Sequence, residues 1–105
     1  MMRETDLHEI EVQLMPLFHE ISVLKFRVEE SCPEVRARYR EMLTTLSSQY
    51  NFVETQVRKF KEAQDEAREE QLTVIRHNLE ELQKKFEQVG QGIYLQTGNQ
   101  FSFYF

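Results

Sequence analysis

This chain of 105 residues has few of the residues that interrupt helices or build compact sites: no tryptophan, one cysteine, two prolines and three glycines. The single cysteine, Cys32, excludes an internal disulfide framework, so a reducing compartment is the default. Three glycines leave little flexible backbone for a catalytic pocket. Glycine-rich phosphate loops, Gly-x-Ser-x-Gly and Cys-x-x-Cys are all missing from the sequence. We therefore expect a protein that is not an enzyme.

The chain also lacks long apolar runs and an excess of positive charge. No run approaches the ~18 apolar residues of a membrane span, and residues 1–6 lack the apolar core of a signal peptide. The net charge of −5 provides no basic field to attract phosphate. We expect a single soluble, cytoplasmic domain with no nucleic-acid and no membrane partner.

Most of the sequence has the periodicity of amphipathic helices. The first predicted helix covers residues 6–31. Apolar residues there recur at spacings of three and four, which is the helical period. They are Leu7, Ile10, Leu14, Leu17, Ile21, Leu24 and Val28. A second set, Val12, Met15, Val23 and Phe26, follows roughly the same period on an adjoining face. A stripe this wide predicts a helix with neighbours on two sides.

Two features of this segment leave a strand alternative open. Pro16 removes a backbone donor, which favours a kink or restart at that point. Residues 9–14 and 23–29 also alternate between polar and apolar, which is the period of a strand. The helix is the preferred interpretation.

A second helix is predicted to begin at Pro33 and to run to Val89. Ser31 can cap it and Pro33 suits its first turn, so the two helices should be antiparallel neighbours. A continuous helix over 33–89 would be roughly 85 Å long and would outrun its own chain's packing surface. Its two apolar stripes do not share a register, however, so a break near 62–70 that gives three helices of similar length stays open.

The last part of the chain changes character after Gly90 and Gly92, which are expected to end the helix. Apolar and aromatic residues alternate on both sides of Gly98-Asn99, a two-residue turn signal. Residues 93–105 are therefore predicted to form a β-hairpin, apolar on both faces and in need of cover.

Residues that could carry chemistry have weak signals. The three histidines lack the Glu-x-x-His spacing of a di-iron bundle, and Cys32 has no recognisable histidine and acid motif around it. The basic residues Arg36, Arg38 and Arg40 have acidic neighbours with which to pair. No catalytic, metal or cofactor site is predicted.

The sequence thus predicts a mainly α protein, an antiparallel helical hairpin or coiled coil with one long helix and a small C-terminal β-hairpin, completed as a helical bundle by oligomerisation. The expected function is assembly, as an adaptor or scaffold. Its partners would be itself, as a homodimer or higher oligomer, and another protein bound through the hairpin. A small-ligand- or metal-binding bundle is the alternative. The candidate interaction residues are Leu72, Ile75, Leu79, Leu82, Phe86, Val89, Tyr94, Phe101, Phe103 and Phe105.

Overall fold

The computed structural model describes residues 4–62 and 68–97, with side chains described for 7–62 and 69–97. Three helices account for nearly all of these residues: α1 (Glu4–Glu29), α2 (Pro33–Glu62) and α3 (Arg68–Thr97). They pack into an elongated bundle of 51 × 24 × 16 Å. The prediction of a helical bundle is confirmed.

Helices α1 and α2 are antiparallel, as the short connection between them predicts. Lys61 near the end of α2 pairs with Glu11 near the start of α1, with 2.6 Å between Nζ and Oε2. At the other end of the pair, Arg40 lies 2.6 Å from Glu29. The connection closes the end of α1, since the Ser31 hydroxyl donates to the carbonyl of α1 residue Arg27 at 2.7 Å.

The cap of α2 differs from the prediction that Ser31 supplies it. The Cys32 carbonyl accepts hydrogen bonds from the amides of Val35 and Arg36, which makes Cys32 the residue that opens the helix. Pro33 is the first helical residue, a position where its missing N–H costs nothing. Ser31 belongs instead to the end of α1.

Helix α3 runs parallel to α1 and antiparallel to α2. Gln83 donates to Gln13 at 3.2 Å. Arg27 Nε donates to the Thr97 hydroxyl at 2.9 Å. Both contacts join residues seventy positions apart, so the two helices keep one register along their length. The chain therefore runs up, down and up again.

A continuous apolar core fills the space between the three helices. Among the residues with described side chains, no polar or charged residue is fully buried. The core is built from the positions that the helical period selects, because each helix places residues three and four apart on one face. It contains Ile10, Leu14, Leu17, Ile21, Leu24, Val28, Val35, Tyr39, Leu43, Leu46, Val53, Val57, Phe60, Leu72, Ile75, Leu79, Leu82, Phe86, Val89 and Ile93.

The predicted long helix over 33–89 is wrong. Helix α2 ends at Glu62, and α3 begins at Arg68 and returns along α2. The shift in register between the two apolar stripes is the physical reason. In one straight helix Phe60 and Leu72 would belong to different faces, whereas two antiparallel helices bring both into a single core. Folding back thus covers within one chain the surface that was expected to need a partner.

The predicted β-hairpin over residues 93–105 is also wrong where the structure describes it. Residues 93–97 are the last turn of α3, which continues through Gly90 and Gly92. Each glycine lowers helix stability by ~1 kcal/mol relative to alanine. Burial of Ile93, which has 0% exposure, stabilises the folded state by ~1.5–3 kcal/mol and extends the stripe of Phe86 and Val89 by another turn. The remaining hairpin positions, 98–105, lie outside the described residues.

Helix α1 is one helix from Glu4 to Glu29, with Pro16 inside it. The strand alternatives at 9–14 and 23–29 are therefore excluded. Pro16 is exposed, while Leu14 and Leu17 on either side of it are buried in the core. Packing of the helix against the core thus compensates for the backbone hydrogen bond that Pro16 cannot make.

Candidate interaction surface

The predicted interaction residues of α3 lie in the interior of the bundle. Their side chains face α1 and α2 and are at most 8% exposed. They are Leu72, Ile75, Leu79, Leu82, Phe86 and Val89. Tyr94 is half-buried against the core, and Phe101, Phe103 and Phe105 lie outside the described residues. An interaction role for these positions stays a prediction, and the exposed apolar side chains are found elsewhere.

The largest group of exposed apolar side chains is on α1, on the side away from the core. Val12 is 53% exposed, Met15 70%, Val23 37% and Phe26 68%. The exposed polar residues His19 and Ser22 lie among them. We call these six residues the α1 outer face.

Contacts on both sides fix the borders of the α1 outer face. Glu11 and Glu29 pair with α2, while Gln13 and Arg27 bond to α3. At ~100° of rotation per residue, the outer face lies between these two borders and opposite Ile21 in the core. Helix α1 therefore has two apolar sides, and this structure covers one of them.

Phe18 extends the apolar surface at the border with α2. Its ring is 62% exposed and contacts the ring of Tyr50 on α2, with 5.7 Å between the centroids. Burial, with a smaller effect from the Glu54 carboxylate, raises the pKa of the Tyr50 phenol above its ordinary value. A raised pKa keeps this phenol neutral, so the Phe18–Tyr50 contact adds no charge to the border.

The α1 outer face carries little polarity of its own. From Val12 to Phe26 the only acidic or basic residues besides His19 are Glu20 and Lys25. The Ser22 hydroxyl donates to the Phe18 carbonyl one turn back at 2.9 Å, so its hydrogen bond is made within the helix. Depletion of charge together with Phe and Met is typical of the centre of a protein–protein interface.

Charged pairs frame this surface along its α2 border. Arg40 holds the Glu29 carboxylate with two hydrogen bonds, Nε to Oε2 at 2.9 Å and Nη2 to Oε1 at 2.6 Å. These bonds lower the pKa of Glu29 and raise that of Arg40. An apolar centre with a polar, ion-paired rim is the usual anatomy of an interface.

Arg27 joins the ends of α1 and α3 at the opposite border. Besides bonding Thr97, its guanidinium lies 4.1 Å from the centroid of the Tyr94 ring, a cation–π distance. Its Nη2 is buried and has no hydrogen-bond partner among the residues that the structure describes. Arg27 thus fixes the last turn of α3 and is turned away from the outer face.

Two grooves run between α2 and α3. One, of about 460 Å³, is lined by Gln56, Lys59, Phe60, Glu70, Gln71, Val74 and Ile75. The other, of about 490 Å³, is lined by Tyr39, Met42, Thr45, Lys85, Gln88, Val89 and Gly92. Small-molecule sites have volumes of ~300–1,000 Å³. The grooves are therefore large enough for a small ligand, and the sequence contained no signal for them.

The structure brings no metal-ligating side chains together within residues 4–62 and 68–97. No three His, Cys, Asp or Glu residues there form a group that could hold a metal ion. His8, His19 and His77 are exposed, and so is the thiol-bearing Cys32. In the same ranges, no helix is both long and apolar enough to cross a membrane.

Comparison with protein-family models, curated proteins and solved structures finds no match to this chain.

Sequence reasoning found most of the α1 outer face but did not select it as the interaction site. The second apolar set of α1, Val12, Met15, Val23 and Phe26, was predicted to face a neighbour, and those four residues are exposed. Phe18 was missed because it falls outside that set's spacing. Its signal was available in the sequence, since an aromatic residue next to the core position Leu17 widens the stripe toward α2.

Proposed function

We propose that this protein is a non-enzymatic assembly protein, an adaptor or scaffold that binds another protein chain through the α1 outer face. The observation that carries the proposal is the second apolar side of α1, from Val12 to Phe26, which the bundle leaves in contact with solvent. An exposed apolar surface of this kind on a small domain is typical of an interaction site. The exposed thiol of Cys32 fits a reducing compartment such as the cytoplasm.

The apolar core gives further support. A bundle that binds a ligand or a metal in its interior places polar residues there, whereas the core positions of this bundle are apolar from Ile10 to Ile93. The surface is instead suited to association with another chain, in which the apolar side chains would become buried and the charged pairs would form the rim.

A photoreactive phenylalanine analogue tests the proposal directly. Placed at Phe18 in cells that produce the protein, it should form covalent adducts with another polypeptide. Phe52 is the matched control, because it is a similarly exposed phenylalanine (58%) on α2 outside this surface. If the Phe18 position gives no adduct, or no more than the Phe52 position, the outer face is not an interaction site.

A small-ligand-binding bundle is the second candidate, and the two grooves between α2 and α3 favour it. The groove beside Tyr39 and Gly92 has an aromatic wall and the Lys85 ammonium group at its side. Native mass spectrometry of the protein purified from its cells would reveal a bound small molecule. A Met42→Ala variant should weaken that binding while leaving the Phe18 adducts unchanged.

A further inference from the structure

We propose that the α1 outer face is the interface of a symmetric dimer, in which α1 packs antiparallel against α1 of a second copy with His19 at the two-fold axis. This inference rests on the proposed function and names the partner, a second copy of this chain.

The spacing of the exposed residues is the first observation. The apolar members of the outer face are arranged symmetrically about His19: Met15 and Val23 lie four residues on either side, and Val12 and Phe26 lie seven. In an antiparallel two-fold pair, residues at equal distances on opposite sides of the axis face each other. Met15 then meets Val23 of the second copy, and Val12 meets its Phe26.

The sizes of the paired side chains complement each other. Each pair joins one large residue with one smaller one, Met15 with Val23 and Phe26 with Val12. A parallel pair would instead place every residue on its own copy, with Phe26 against Phe26 and Val12 against Val12. Alternation of large and small side chains across an interface allows close packing along its length.

The ends of the interface are complementary in hydrogen bonding, because an imidazole N–H can donate to a carboxylate. His8 and Glu30 lie eleven residues from His19 on opposite sides, and both are exposed. Antiparallel packing places the Glu30 carboxylate of one copy beside the His8 ring of the other. Parallel packing would place two Glu30 carboxylates together, which is unfavourable.

The apolar area, together with the polar residues beside it, is sufficient for a small dimer interface. A large apolar side chain presents roughly 150–200 Å², so the exposed fractions of Val12, Met15, Val23 and Phe26 amount to about 400 Å² on each copy. Two copies would bury about 800 Å² of apolar surface, and the exposed polar residues His8, His19, Ser22 and Glu30 on the same face add the rest of the ~1,000 Å² that specific interfaces need. The interface is at the small end of that range, so we expect dissociation at low concentration.

Single-cysteine variants test the geometry. In a Cys32→Ser background, His19→Cys places two thiols at the axis, within the ~7 Å between Cα atoms that a disulfide requires. Met15→Cys places them ~12 Å apart along the helices. Mild oxidation should therefore convert His19→Cys into a covalent dimer and leave Met15→Cys largely uncrosslinked. The double variant Met15→Cys with Val23→Cys should crosslink again.

Light scattering over a concentration series provides the second measurement. The wild-type protein should approach twice the 12.7 kDa mass of one chain. Phe26→Glu should shift it to the monomer with helicity unchanged, because the side chain is outside the core. Phe52→Glu is the control and should leave the dimer intact.

Each other outcome overturns the inference in a recognisable way. Equal crosslinking by His19→Cys and Met15→Cys would indicate a parallel pair. A monomer at all concentrations, with no disulfide from His19→Cys, would exclude the dimer. If Phe18 still gave adducts with a different protein in that case, the proposed function would stand and only the second copy would be replaced as partner.

Discussion

The contact between Gly92 of α3 and Tyr39 of α2 offers a sharp test of how closely the bundle packs. A Cβ atom built on Gly92 would lie 2.7 Å from the Tyr39 Oη and 3.3 Å from its Cε1. Tyr39 is 8% exposed, so its ring can move away only by shifting into the groove that it lines together with Gly92. Gly92→Ala therefore forces either the ring or the helix to shift.

Two opposing effects set the size of the change. Alanine in place of glycine inside a helix raises the free energy of unfolding by ~1 kcal/mol. Overpacking a close contact lowers it by ~1–3 kcal/mol. We expect Gly92→Ala to destabilise the protein by up to ~2 kcal/mol.

The same substitution should have the opposite sign in a Tyr39→Phe background. Without the hydroxyl, the closest approach to the new Cβ becomes 3.3 Å, to Cε1, which a shift of the ring by a few tenths of an ångström relieves. The helix propensity of alanine is then the larger effect, and Gly92→Ala should stabilise by up to ~1 kcal/mol.

Urea unfolding of the four proteins, followed by circular dichroism, gives the coupling energy between the two positions. We expect ~1–3 kcal/mol. Gly92→Ala with the same effect in both backgrounds would refute the reasoning, since it would mean that α2 and α3 do not approach each other this closely.

The remaining predictions concern the core and two titrating groups. Leu82→Asp should lower the free energy of unfolding by more than ~4 kcal/mol because it buries an unpaired carboxylate, whereas Glu80→Lys on the exposed side of α3 should change it by less than ~0.5 kcal/mol in the same urea titration. The native state raises the pKa of Tyr50, so stability should fall as the pH rises through the ordinary tyrosine value of 10.0, and urea titrations at alkaline pH should show a smaller fall for Tyr50→Phe. Arg40→Ala should move the lowered pKa of Glu29 back toward 4.5 in an NMR titration. It should also remove the small stability that the pairing contributes above that pH, a contribution that is lost as the pH falls. A Glu29 pKa that did not move would exclude the Arg40 pairing in solution.

The helical period predicted the inward-facing residues correctly because burial selects them locally. Spacings of three and four placed Ile10 to Val28 on one side of α1, and the same rule found Leu72 to Val89 on α3. The first connection was also predictable, since Pro33 suits the first position of a helix, where its missing N–H costs nothing.

The chain reversal after Glu62 could not be decided from local signals. The sequence that follows is made of good helix formers, so propensity does not distinguish one long helix from two shorter ones. The choice depends on whether the two apolar stripes meet within one chain or across two. Local helix propensity and tertiary packing also had opposite effects at the end of α3. Propensity favoured a stop at Gly90, and the burial of Ile93, three residues further along the chain, outweighed it.

The sequence left open which apolar stripe stays exposed, for a related reason. Periodicity reports that a face is apolar and does not report what covers it. The stripe from Leu72 to Val89 and the stripe from Val12 to Phe26 both looked like contact surfaces, and the three-dimensional packing buries only the first.

The up-down-up course of the three helices within residues 4–62 and 68–97 has a mechanical consequence. Because the chain runs up, down and up, Glu4 and Thr97 lie at opposite ends of a rod whose helices are ~45 Å long. A pull applied between those two residues would be directed along the helix axes, so that α1 and α3 slide past α2 and the whole core resists at once. Bundles with an even number of helices return the chain to its starting end, where the same pull would peel the helices apart one turn at a time. A pull along the axis would therefore meet the resistance of the whole core rather than of one helix at a time.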